Sequence, residues 1–140
     1  EVKNIYLLNQ DYSFGHAVQS AAIEMISAKR PDIEIVGDEL HPVGKIKDFS
    51  PDVAKIKASG ADSVVTGNWG NDLSLLIKAG KEAGLDVNYF TYYAGIVGTT
   101  GTIGQAGIDK VKQVSMWHNN LEGELNESLT TGYRERFPEA

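Results

Sequence analysis

The sequence predicts an α/β domain, a three-layer αβα sandwich around a parallel five-stranded sheet of order 2-1-3-4-5. Short apolar runs of strand length alternate along the chain with stretches that have helical spacing. Gly, Pro, Asn and Asp cluster where one kind of stretch gives way to the other. This alternation is typical of parallel strands joined by right-handed crossovers, with helices on both faces of the sheet. No repeat or low-complexity linker interrupts the pattern, so a single domain over residues 1–140 is expected.

The first elements are a strand over residues 2–8, a polar turn over 9–13 and a helix over 14–29. Ser13 is the expected N-cap of this helix, and Pro31 ends it. Helical spacing places seven apolar residues on one face of the helix, namely Phe14, Ala17, Val18, Ala21, Ala22, Met25 and Ile26.

The second strand is predicted over residues 33–40, and its alternating pattern places it nearer an edge of the sheet. Asp48 or Ser50 is expected to cap the next helix, which ends at Gly60. A buried third strand follows over residues 62–66.

A Gly-Asn-Trp-Gly turn follows the third strand and leads into a helix over 71–83, which we expect Asn71 to start and Gly84 to end. The fourth strand is predicted over residues 87–92. The remaining predicted elements are a glycine-rich loop over 93–107 with one helical turn near Ile103, a strand over 112–117 and a helix over 125–137.

Bulk composition excludes several classes of function. The 140 residues carry a formal net charge of −6, which leaves no basic face for phosphates, so no nucleic-acid partner is expected. The absence of cysteine excludes disulfides, thiolate metal sites and cysteine nucleophiles. No apolar run approaches the roughly 18 residues of a membrane span. Strand-like sequence starts at Val2 and the chain stops just after a helical pattern, so we interpret it as part of a longer protein.

Three loops are expected to form a small-molecule site. In a sheet of this order ligands bind outside the carboxyl ends of the strands, beside the switch point between the first and third strands. The loops at that place are 9–15, 67–72 and 92–97. They supply apolar walls and a few orienting polar groups. These groups are Asp11, Tyr12, Phe14, Asn68, Trp69, Tyr92 and Tyr93.

Structural roles are alternatives for most of these residues. Phe14 could be a core residue of the first helical turn, and Tyr92 could point inward from the end of its strand. Asp11 could be a solvated turn residue, and Asn68 and Asn71 could satisfy backbone groups of their own turns. A tryptophan between two glycines, as at position 69, is less suited to a core.

Signatures of other chemistry are weak. His16, His41 and His118 lie on separate segments without metal-ligand spacing, so no metal or cofactor is expected. Ser13 has no nucleophile-elbow pattern around it, and the glycines of the loop over 93–107 do not form a dinucleotide fingerprint. No catalytic residue is therefore assigned.

Two long runs resemble a known family. The runs are NQDYSFGHAVQSAAIEM over 9–25 and KIKDFSPDVAKIKASGADSVVTGNWGNDLSLLIKAGKEAGL over 45–85. They resemble the second lobe of type I periplasmic solute-binding proteins, of the branched-chain amino-acid (Leu/Ile/Val) binding type of ABC importers. The pair Phe14-Gly15 at the start of the first helix and Asp48-Phe49-Ser50 before the second carry this resemblance.

The resemblance implies a non-enzymatic, periplasmic binding protein in which two lobes close on a ligand. The expected partners are a first lobe, an ABC permease and a small-molecule ligand, which is an aromatic or aliphatic carboxylate or an amino acid. The expected ligand-binding residues are Asp11, Tyr12, Ser13, Phe14, Asn68, Trp69, Tyr92, Tyr93 and Ala94.

Ala94 departs from the amino-acid binders of the family, which place an acidic residue after the fourth strand to hold the ligand ammonium. A buried ammonium without that partner would cost several kcal/mol. An aromatic or aliphatic carboxylate is therefore favoured over an ordinary α-amino acid.

Two other functions fit the predicted fold. Lobes of this type also occur as ligand-sensing domains of receptors and transcription regulators. A flavodoxin-like enzyme is disfavoured, because the rim loops show no acid–base pair in the sequence.

Overall fold

Five parallel strands form one sheet of order β2-β1-β3-β4-β5 in the computed structural model, which describes residues 1–118 and 120–139. The predicted order and the edge position of the second strand are confirmed. The strands are β1 (Asn4–Gln10), β2 (Glu34–His41), β3 (Ser63–Thr66), β4 (Asn88–Thr91) and β5 (Val111–Gln113).

Five helices connect and follow the strands. They are α1 (Ser13–Lys29), α2 (Ser50–Ser59), α3 (Gly70–Glu82), α4 (Thr99–Ile103) and α5 (Glu124–Arg136). The short helix α4 and the 3₁₀ turn Gly104–Gly107 lie in the glycine-rich loop, which confirms helical structure around Ile103.

The helices cover the two faces of the sheet unequally. Tyr6 and Leu8 point from β1 into the main core, where α2 and α3 pack. Ile5 and Leu7 alternate with them, so they point to the opposite face, which α1 covers. The fully buried aliphatic and aromatic side chains between the sheet, α2 and α3 include Phe49, Val53, Ile56, Val64, Leu73, Leu76 and Ile77.

The start of α1 lies directly against the end of β1. A Cβ atom built on Gly15 would lie 1.7 Å from the backbone oxygen of Gln10. Residue 15 therefore has to be glycine for the helix to approach this strand so closely.

Two strands differ in position from the prediction. β1 extends through Asn9 and Gln10, which were predicted as turn residues, because both amides find partners inside the protein. The last strand ends at Gln113 rather than at residue 117, because its partner β4 ends at Thr91 and leaves the later residues without a strand to pair with.

Helix starts also differ from the prediction. Tyr12 rather than Ser13 occupies the N-cap of α1, and Trp69 rather than Asn71 occupies the N-cap of α3. Phe49 rather than Asp48 or Ser50 occupies the N-cap of α2, although Asp48 Oδ1 accepts a hydrogen bond of 2.9 Å from the backbone of Ser50. Gly84 adopts a left-handed backbone after α3, as expected from its sequence position.

The predicted apolar face of α1 is covered only at its start. Gly15 and Val18 are the buried residues of α1, and Met25 is exposed. A groove of about 380 Å³ runs beside α1 and is lined by apolar residues such as Ala22, Ile26 and Phe90. Within the described part of the chain, no helix is both long enough and apolar enough to span a membrane.

Helix α5 buries none of its described residues, and Leu125, Leu129 and Tyr133 are exposed. The predicted final helix is therefore present, but its apolar side chains are not covered by the sheet.

We expect Gly15→Ala to destabilise the protein, because the added methyl group must displace either β1 or α1. Overpacking of this kind costs about 1–3 kcal/mol or more. Gly132→Ala is the matched control, since a Cβ atom at that position in α5 meets nothing within 4 Å. Urea denaturation that shows equal stability for both variants would contradict the close approach.

Tyr89 makes folding stability sensitive to alkaline pH. Burial raises the pKa of Tyr89 to about 12, and its hydroxyl has no hydrogen-bond partner among the described residues. Above pH 10 the unfolded chain loses this proton while the folded chain keeps it. The free energy of unfolding therefore falls by up to about 1.4 kcal/mol per pH unit until the folded pKa is reached.

Tyr89→Phe should abolish this contribution and leave stability at pH 7 unchanged or higher, because no hydrogen bond is lost and an unpaired buried hydroxyl is removed. Some alkaline loss should persist, since burial together with Glu39 also raises the pKa of Tyr6 to about 12. Urea denaturation at pH 7 and pH 11 measures both effects. The exposed Tyr133→Phe variant serves as the control.

Candidate functional site

Five aromatic side chains form a continuous rim at the carboxyl ends of β1, β3 and β4. We call Tyr12, Phe14, Trp69, Tyr92 and Tyr93 the aromatic rim. Phe14 lies at its centre, with its ring centroid 5.4 Å from that of Tyr93 and 6.2 Å from those of Tyr12 and Tyr92. Trp69 Nε1 donates a hydrogen bond of 2.9 Å to the Tyr12 hydroxyl. The structure thus brings together side chains from three of the predicted loops.

Glycine at position 67 allows Phe14 to pack against the loop that follows β3. A Cβ atom there would lie 2.9 Å from Val18 Cγ2 and 3.1 Å from Phe14 Cε1. Gly70 then adopts a left-handed backbone with φ of 57°, directly after Trp69. The two glycines therefore shape the turn that presents the indole.

The aromatic rim is open to solvent. Trp69, Tyr92 and Tyr93 are 42%, 38% and 36% exposed, while Tyr12 and Phe14 are half-buried. A cleft of about 480 Å³ lies beside Phe14, Tyr92 and Tyr93, and Gly95, Ile96 and Gln113 also line it. Exposed aromatic faces beside a cleft suit a ligand with an apolar or aromatic body.

The other four predicted site residues differ in exposure. Asp11 and Ser13 are exposed between the rim residues of the first loop, and Asp11 Oδ1 lies 2.8 Å from His16 Nε2. Asn68 is fully buried, and Ala94 packs in the main core beside Ile103. In this structure the side chains of Asn68 and Ala94 therefore lie beneath the rim and do not face the cleft.

A layer of buried polar side chains lies beneath the aromatic rim, and the sequence prediction missed it. We call it the buried polar layer, and each of its members is at least 95% buried. It consists of Asn9, Gln10, His41, Asn68 and Asp72. The signal in the sequence was present, since an Asn-Gln pair directly follows an apolar strand, but polar residues at that place are also typical of turns.

Hydrogen bonds connect the buried polar layer to the loop after β3. Asn9 Oδ1 accepts a hydrogen bond of 2.7 Å from the backbone of Gly67. His41 Nε2 lies 3.1 Å from Asn68 Oδ1, and the His41 ring packs edge-on against Phe49. The layer therefore engages the backbone N–H of Gly67 and the side-chain oxygen of Asn68 in the loop that carries Trp69, while Asn68 Nδ2 has no partner among the described residues.

The exposed groups of the site can stack on a ligand or form hydrogen bonds with it. Phenol hydroxyls, aromatic faces and the Asp11–His16 pair are exposed at the rim. Within residues 1–118 and 120–139, no group of three His, Cys, Asp or Glu side chains could hold a metal ion. The described groups thus offer stacking and hydrogen bonding to an organic ligand.

The family model described as periplasmic binding protein matches residues 1–140, which is the whole chain. The chain belongs to the periplasmic binding protein family. The resemblance noted from the sequence is thereby confirmed, including its branched-chain amino-acid type.

Leu/Ile/Val-binding protein homolog 4 of Brucella abortus (strain 2308) is 46% identical over 102 residues. The match covers 73% of this chain and 23% of that relative. The matched part of this chain thus spans about a quarter of the length of that curated relative.

Solved structures share the fold. The leucine-, isoleucine-, valine-, threonine- and alanine-binding protein from Brucella ovis, in a closed conformation, superposes with a TM-score of 0.85 at 34% identity. The superposition covers 95% of this chain and 33% of that one. A solute-binding protein of an ABC transporter from R. palustris, in complex with benzoate, has a TM-score of 0.79 at 20% identity, covering 98% and 37%.

We expect Phe14→Ala to destabilise the protein by about 1–3 kcal/mol, because it removes three ring contacts of a half-buried side chain. Phe137→Ala is the control, since Phe137 follows α5 and stacks on Tyr133 alone among the described rings. Urea denaturation gives the difference. Equal stability of the two variants would show that Phe14 does not hold the rim together.

Proposed function

We propose that this chain is one lobe of the solute-binding component of an ABC importer, and that a small organic ligand binds on its aromatic rim. The observation that carries the proposal is the position of the rim at the carboxyl ends of β1, β3 and β4, where ligands of such sheets bind. Membership of the periplasmic binding protein family supports it, as does the Leu/Ile/Val-binding name of the 46% identical relative.

A second lobe of the same protein closes over the rim in this proposal. The chain accounts for about a third of the Brucella ovis protein, so most of a comparable polypeptide lies outside it. Trp69, Tyr92 and Tyr93 of the rim are more than one third exposed, which leaves their faces available to a ligand and an opposing lobe. Burying this apolar surface would favour closure by about 25 cal/mol per Å².

The ligand we propose has an apolar or aromatic body and a carboxylate. Phe14 and Tyr93 line the cleft and offer ring faces to such a body. Trp69 adds an exposed indole at the part of the rim beside Tyr12. The nearby carboxylate of Asp11 is already paired with His16, so an ammonium group would compete with the imidazole for it. In this assignment the opposing lobe holds the ligand carboxylate.

The proposed setting is the periplasm, and the proposed partner is the permease of the importer, which would recognise the closed lobes. A catalytic role is not proposed. Asp11 and His16 form an acid–base pair at the rim, but no hydroxyl among the described residues is hydrogen-bonded to His16. The sensor alternative has no comparable support, because the relatives named above are binding proteins.

Titration of the complete binding protein with matched ligands tests the ligand class. Leucine and 4-methyl-2-oxopentanoate share a carbon skeleton and differ in the ammonium group. We expect the oxo acid to bind at least about tenfold more tightly, because an unpaired ammonium is costly to bury. Isothermal titration calorimetry measures both constants, and submicromolar binding of leucine would refute this ligand class.

Two tryptophan variants locate the site in the same titrations. Trp69→Ala should weaken binding of the oxo acid at least about tenfold through loss of a ring contact. Trp117→Phe is the matched control, since Trp117 lies outside the rim and bonds to Asn126. Equal effects of the two substitutions would place the ligand elsewhere.

A further inference from the structure

Side-chain hydrogen bonds join the end of β1 and the loop after it to the loop after β3 and the start of α3. Asn9 on β1 accepts from the backbone of Gly67, and Tyr12 accepts from the indole of Trp69. Between these two contacts, Gln10 Nε2 donates a hydrogen bond of 2.7 Å to Asp72. The end of β1 is thus tied to the loop and the helix start that follow β3 at three successive points.

Asp72 is the buried centre of these contacts. Its side chain is 2% exposed. Its Oδ2 atom accepts from Gln10 and also from the backbone of Gly44, at 2.8 Å. One carboxylate oxygen therefore joins β1, the loop after β2 and the first turn of α3.

Hydrogen bonds to Oδ2, rather than an opposite charge, hold this carboxylate, and its Oδ1 atom has no hydrogen-bond partner among the described residues. Within residues 1–118 and 120–139, no ion pair involves Asp72. Its place in the first turn of α3 lets the helix dipole favour a negative charge there. Loss of the carboxylate would leave the amide of Gln10 and the N–H of Gly44 without this buried acceptor.

We propose that Asp72 is a positioning residue for ligand binding: by tying the start of α3 to Gln10 and Gly44, it holds Trp69 against Tyr12 in the arrangement that meets the ligand. The proposal rests on the proposed function for its link to affinity. The link to Trp69 stands on geometry alone, because Trp69 is the N-cap residue of the helix whose first turn contains Asp72.

The exposure of Trp69 explains why it requires such a residue. The indole is 42% exposed, and its N–H donates a hydrogen bond to the Tyr12 hydroxyl. An exposed side chain that is already ordered loses less conformational entropy when a ligand binds. A buried hydrogen-bonded anchor three residues away supplies that order without occupying the site.

A purely stabilising role for Asp72 is the alternative, and Ser74 provides the matched control. Ser74 is also 2% exposed and lies on α3, where its hydroxyl donates to the backbone of Gly70. Within the described residues, its side chain makes no hydrogen bond to the end of β1. Ser74→Ala should therefore affect stability without affecting the Trp69–Tyr12 contact.

The test observes the Trp69 indole N–H by NMR in the 140-residue chain carrying Trp117→Phe, which leaves Trp69 as the sole tryptophan. In this background Asp72→Ala should shift the indole resonance and increase its exchange with water at least about threefold. Asp72→Asn should restore the parent spectrum, because the amide retains an oxygen that can accept from both donors. Ser74→Ala should leave the resonance in place.

Gln10→Met covers the case in which Asp72→Ala fails to fold. It removes one of the two donors to Asp72 at similar side-chain size, so the indole should shift in the same direction by a smaller amount. An unchanged indole resonance in this variant and in Asp72→Ala would overturn the proposal. An equal shift in Ser74→Ala would also overturn it.

Titration of the complete protein with 4-methyl-2-oxopentanoate tests the effect on affinity. Asp72→Ala should weaken binding at least about tenfold, and Asp72→Asn should remain within about threefold of the parent. Unchanged affinity in Asp72→Ala, with a shifted indole, would overturn the role in binding. Absence of any binding by the parent protein would count against the proposed function, while the indole measurements would still decide whether Asp72 positions Trp69.

Discussion

The site depends on one constraint: polar groups at the carboxyl ends of the central strands are buried and must find hydrogen-bond partners. Asn9 Oδ1 and Gln10 Nε2 meet this constraint by bonding to the loop and helix that follow β3, whereas Asn9 Nδ2 and Gln10 Oε1 have no partner among the described residues. An unpaired buried polar group costs about 1–3 kcal/mol, so these contacts strongly restrict where the loop can lie. The position of Trp69 follows from that restriction, since the loop carries it between Asn68 and the start of α3.

The molecule separates the groups that hold the site from those that face solvent. The buried polar layer lies beneath the surface and consists of amides, an imidazole and a carboxylate. The aromatic rim lies above it and offers ring faces and phenol hydroxyls.

The sequence predicted that the rim aromatics lie on neighbouring loops, because the order of the loops in a parallel sheet follows from the order of its strands. It could place Phe14, Trp69 and Tyr93 on neighbouring loops, and the structure shows Phe14 and Tyr93 in ring contact. It could not separate exposed residues from buried ones within those loops. Asn68 and Ala94 lie next to rim residues in the chain, yet both are buried, because a turn directs successive side chains to different sides.

Local patterning and crossover handedness were enough to predict the alternation of strands and helices and the layered parallel sheet, since they leave few arrangements open. The family was predicted from the resemblance of the runs over 9–25 and 45–85. The tertiary structure was needed to show that Gln10 and Asp72 are partners, because residues 62 positions apart meet through packing that no local sequence pattern predicts. It also decided that β1 continues through Asn9 and Gln10. Polar residues at the end of a strand are also typical of turns. Here the partner of Gln10 lies at the start of α3, far away in the sequence, so the sequence alone could not show that the strand continues.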